Sequence, residues 1–97
     1  MMDREQYLLI CLMEECAEVA KETAKALRFG LDNNYKKQNP RERLKDELLD
    51  LFAVIDMLTK DGIMSFDKDE DEITILAKEA KVEKYMKYSQ KRKILNG

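Results

Sequence analysis

The sequence predicts an all-α fold: an antiparallel bundle of three or four helices per chain, completed by association with further copies. Three observations carry this. Apolar residues recur at helical spacing over three long stretches, with no alternating segment that reads as a strand. Gly30, Pro40 and Gly62 stand where such helices should stop or start. The 97 residues are 44% hydrophobic, enough for one small domain over residues 1–97 but a modest core, so long helices are expected to bury remaining apolar surface against a second copy.

The first helix is expected to begin after Asp3, which with Gln6 forms a capping-box pattern, and to run to about Phe29 before Gly30. Leu12, Met13, Cys16, Ala17, Ala20, Ala24 and Leu27 fall on one face. Glu14, Glu15, Glu18 and Glu22 fall on the other, and Lys21, Lys25 and Arg28 continue that polar side. Residues 31–39 read as a loop. The second helix opens with Asn39 as cap, Pro40 at the first position and Glu42 placed to complete a box, and runs to about Lys60. Asp67 with Glu70 caps a third helix, striped by Ile73, Leu76, Ala77 and Ala80, that fades near Arg92.

Composition excludes several classes. The sequence has no histidine, which removes imidazole acid–base catalysis and most zinc sites. Cys11 and Cys16 have no partner ligands and read as reduced thiols of a cytoplasmic protein. The run Tyr7–Met13 is too short to span a membrane, and no Gly-rich phosphate loop is present. The net charge of −2 does not mark a nucleic-acid binder. Residues 78–97 are locally basic, with seven Lys and Arg against two Glu. A competing function follows from that segment: a non-catalytic helical oligomer holding nucleic acid or a partner protein through its basic C-terminal helix.

The informative chemistry lies in two acid pairs. Glu15 and Glu18 are three residues apart on the first helix, and Glu47 and Asp50 three apart on the second. The second pair interrupts an otherwise apolar helix, Leu48 to Leu58, so it is not simply solvated. Asp56 lies on the opposite side of that helix and reads as surface or interface, not as part of the site. Antiparallel packing would bring four carboxylates toward one point, a cluster that needs protons or cations to persist. All-oxygen donors suit hard ions, Mg2+ first and Mn2+ second, and Mg2+ favours phosphates as co-ligands. Lys21, Lys25 and Arg28 could contact those phosphates, or pair with Glu18 and Glu22. Lys81 and Tyr85 are candidates to close the site from the third helix, and Asn33, Asn34 and Tyr35 to meet a base.

The pattern Glu14-Glu15-x-x-Glu18, then 28 residues, then Glu47-x-x-Asp50, resembles the signature of the all-α nucleoside triphosphate pyrophosphohydrolases. With Lys25-Ala26-Leu27-Arg28-Phe29-Gly30-Leu31-Asp32 and Glu47-Leu48-Leu49-Asp50-Leu51-Phe52, it resembles the small MazG-like proteins of bacteriophages. The resemblance covers roughly residues 5 to 90. It implies a homodimer or homotetramer with Glu15, Glu18, Glu47 and Asp50 as Mg2+ ligands, and water attacking a (d)NTP between its α- and β-phosphates. No Trp or His is present to read a base, so the preferred base stays open.

Overall fold

The computed structural model describes residues 1–96. Among its described residues the regular structure is all helical, without strands: α1 (Arg4–Phe29), α2 (Pro40–Lys60) and α3 (Lys68–Lys91). Three helices lie at the low end of the expectation. The chain divides into two compact units, Met1–Ser65 with α1 and α2, and a second beginning at Phe66 with α3.

Each helix begins where its cap chemistry dictates. Asp3 accepts from the Gln6 amide at 2.8 Å while the Gln6 side chain accepts from the Asp3 amide at 3.0 Å, a complete capping box. Asn39 accepts from the Glu42 amide at 2.9 Å, with Pro40 behind it. The box expected there is only half formed, since Asn39 caps without a return bond from Glu42. On α3, Asp67 accepts from the amides of Asp69 and Glu70. The return bond to the Asp67 amide comes from Asp71, at 2.6 Å, rather than from Glu70. Gly30 ends α1 with φ of 87°, a conformation that favours glycine, and its amide donates to Ala26 at 2.9 Å.

Within the first unit α1 and α2 form an antiparallel hairpin. Arg4 at the start of α1 pairs with Asp61 at the end of α2, while Glu22 in the second half of α1 meets Arg43 in the first turns of α2. The 31–39 loop is tied down rather than loose. Arg41 makes a two-pronged bond to Asp32 at 2.8 and 3.0 Å, its amide donates to the Leu31 carbonyl, and Tyr35 packs on Phe29 with ring centroids 4.8 Å apart.

The inward face of this hairpin carries its acids. Leu8, Ala26 and Leu58 are buried, with Pro40; Glu15, Glu18, Glu47, Arg43 and Lys25 are half-buried; and Glu22 is buried. The apolar face of α1 points mostly outward: Leu12 is half-buried, but Met13, Cys16, Ala17, Ala20, Ala24 and Leu27 are exposed, as are Leu49, Phe52 and Met57 on α2. On α1 the acids sit about 180° around the helix from these apolar positions, and on α2 Leu49 and Phe52 lie well away from Glu47 and Asp50, so turning the acids together turns these oily faces out. Asp56 is exposed and pairs with Lys60, as its position implied. In the second unit α3 buries none of its residues, and its stripe of Ile73, Leu76, Ala77 and Ala80 is exposed.

Candidate metal centre

Five acids line the seam because of register, Glu22 buried, Glu15, Glu18 and Glu47 half-buried, and Asp50 exposed at its edge. Glu15, Glu18 and Glu22 repeat at three- and four-residue steps along α1, so they stack on one face. On α2, Arg43, Glu47 and Asp50 do the same. With the helices antiparallel, Glu15 lies across from Glu47 and Asp50. Glu15, Glu47 and Asp50 each offer one carboxylate oxygen, and the three atoms all lie within 4.8 Å of one another. Oxygens around a bound Mg2+ stand about 3–4 Å apart, so a small inward movement completes a three-carboxylate set.

Glu18, the fourth expected ligand, is half-buried but does not join the three at that distance. Its charge still reaches them. Burial pushes the Glu47 carboxyl above its ordinary value, and the neighbouring charges of Asp50, Glu18, Glu15 and Glu22 push it further the same way. Glu47 is thus the focus of the cluster's field. A divalent cation would relieve it, and donors that are all carboxylate oxygen fit Mg2+ or Mn2+. Glu14, one position from Glu15 and rotated about 100° away, is exposed.

Glu22 falls on the polar side of α1, where its spacing predicts pairing with the lysines of that face. It is a buried charged side chain, 3% exposed. Its Oε1 accepts from Arg43 at 3.3 Å and lies 3.5 Å from the Lys25 ammonium. Burial alone would raise its carboxyl. The hydrogen bond and charge of Arg43, with the charge of Lys25, outweigh that and hold it below the ordinary carboxyl value. Neither Arg43 nor the burial of Glu22 was foreseen. The available signal was spacing: Glu22 is four after Glu18, and Arg43 four before Glu47.

The remaining candidates are dispersed. Lys25 is engaged with Glu22 through the pairing that was the alternative to phosphate contact, at three residues rather than four. Lys21 is exposed, and Arg28 lies over the Phe29 ring at 5.3 Å. Asn33 donates to the Phe29 carbonyl at 2.8 Å, finishing α1. On α3, Lys81 and Tyr85 line a groove of about 430 Å³ together with Val82 and Met86. No helix among the described residues is long and apolar enough to cross a membrane. No protein-family model matches the chain, and neither a curated protein nor a solved structure does.

Proposed function

We propose that this chain is a Mg2+-dependent nucleoside triphosphate pyrophosphohydrolase, cleaving a (d)NTP between its α- and β-phosphates to the monophosphate and pyrophosphate. The supporting observation is the meeting of half-buried Glu15 and Glu47 with exposed Asp50, from two helices, within 4.8 Å. Surface acids gain nothing by crowding. A cluster that raises its own central carboxyl is suited to a bound cation.

Glu15, Glu47 and Asp50 hold the ion in this proposal. Bound Mg2+ supplies charge neutralisation for phosphate oxygens and acidifies a coordinated water. Glu18 is close enough to act on Glu47 yet outside the set of three, so it either completes the coordination or orients the attacking water and takes its proton. Exposed Lys21 and Arg28 are available to the polyphosphate beyond the ion. The outward apolar face, with Phe52 58% and Leu27 83% exposed, supports a homodimer or homotetramer in which copies of the hairpin cover one another.

The test is a panel of canonical and modified (d)NTPs with Mg2+, following pyrophosphate release. Glu18→Gln and Glu47→Gln should abolish release while the helical assembly persists. The proposal is wrong if no nucleotide yields pyrophosphate with either Mg2+ or Mn2+, or if Glu47→Gln keeps the wild-type rate.

A further inference from the structure

The third helix carries a face with no occupant. α3 buries none of its residues, and a helix of that kind is marginal in water unless something packs on it. At about 100° per residue, Asp69, Ile73, Leu76, Ala77, Ala80 and Lys84 fall within one arc of about 100°. All six are exposed, Ile73 by 71% and Leu76 by 55%. The face is thus apolar in its middle, acidic at its N-terminal end and basic at its C-terminal end. The surrounding sequence repeats that division. Residues 67–72 hold five acids and one lysine, while residues 84–93 hold five Lys and Arg and no acid. Neither Asp69 nor Lys84 forms an ion pair among the described residues.

We propose that α3 pairs antiparallel, along this face, with α3 of a second copy of the chain. Charge selects both the occupant and its direction. A parallel copy sets acids against acids and lysines against lysines, whereas an antiparallel copy sets each end against its opposite. Spacing selects the register. A two-fold axis between Leu76 and Ala77 places Leu76 opposite Ala77 of the second copy and Ile73 opposite Ala80, so each large side chain meets a small one. The same axis places Asp69 opposite Lys84, once at each end of the pair. This pairing does not depend on the pyrophosphohydrolase reading. It is a surface separate from the outward face of the hairpin, and two such surfaces on one chain build an assembly larger than a dimer.

The test is sedimentation equilibrium of the full chain carrying Phe52→Glu, which removes association through the hairpin and leaves α3 to report alone. One helix pair is a small interface, so loading extends to about 0.1 mM. A dimer is expected. Lys84→Glu should weaken it roughly tenfold, because the two-fold axis counts the reversal twice. Asp69→Lys should weaken it similarly, and the chain with both reversals should regain the affinity of the parent. Asp69→Lys also takes an acid from the first turn of α3, so the decisive sample is the equimolar mixture of the two single variants. In that mixture each facing pair again has opposite signs, and heterodimers should form where neither variant associates well with itself. The inference is overturned if the Phe52→Glu chain stays monomeric at the highest loading, if Lys84→Glu associates like the parent, or if neither the double variant nor the mixture recovers the loss. Pyrophosphate release by the same proteins reports separately on the enzyme reading, which neither result touches.

Discussion

Glu47 stands where burial and four neighbouring carboxylates act in the same direction. In the metal-free protein the folded state therefore keeps the Glu47 proton to higher pH than the unfolded chain does. Stability should fall as pH rises from the ordinary carboxyl pKa through the raised one, and stay lower above it. Glu22 works with the opposite sign. Its lowered carboxyl contributes fully above the unfolded pKa, and that contribution is lost as pH falls through the lowered value. Melting curves in chelator across pH should show both arms, and Mg2+ should flatten the alkaline one. Glu47→Gln should raise the metal-free melting temperature, erase the Mg2+ response, and cut pyrophosphate release by at least about 100-fold, since even outer-shell partners of metal ligands are worth 10–100-fold. Arg43→Met should instead destabilise the fold by roughly 1–3 kcal/mol in urea denaturation, because it leaves Glu22 buried with only Lys25 for company.

At the scale of elements, the caps and ties set where the helices start, and therefore the register of the seam. Asn39 satisfies an amide in the first turn of α2, and Glu47 lies two turns further in. Asn39→Ala should cost about 1 kcal/mol of stability by chemical denaturation while leaving Mg2+ affinity near wild type. The Arg41–Asp32 tie is 60% and 70% exposed at its two ends, so Asp32→Ala should change stability by no more than about 1 kcal/mol. An effect much larger than this would mean that the 31–39 loop holds the hairpin closed.

For the whole molecule, the consequence of the inverted hairpin is a second surface to cover. With acids inside, Leu8, Ala26 and Leu58 are the apolar side chains that the described residues bury. Around them Leu12, Val19, Leu51, Val54 and Ile55 are only half-buried. Phe52→Glu, at the centre of the outer face of α2, should shift the protein to smaller species in sedimentation or light scattering and lower its melting temperature. Monomeric wild type at micromolar concentration, melting independently of concentration, would rule out self-association as what covers this face.

Helix identity and ends were legible in the sequence because they depend on neighbours a few residues apart. Asp3 with Gln6, Asn39 with Pro40, and Gly30 are local chemistry, and they act in the structure where their spacing placed them. The Glu15–Glu18 and Glu47–Asp50 pairs were legible for the same reason, as one-face repeats on two helices. Tertiary structure alone decided which of the four acids meet most closely: Glu15, Glu47 and Asp50 do, and Glu18 stands outside them. Amphipathicity says that one stripe is oily and another charged, but it cannot say which side chains of two helices will stand opposite one another. It also decided that Glu22 would be buried with Arg43, 21 residues away: that pairing depends on the antiparallel register of two helices, a long-range quantity that no local spacing encodes.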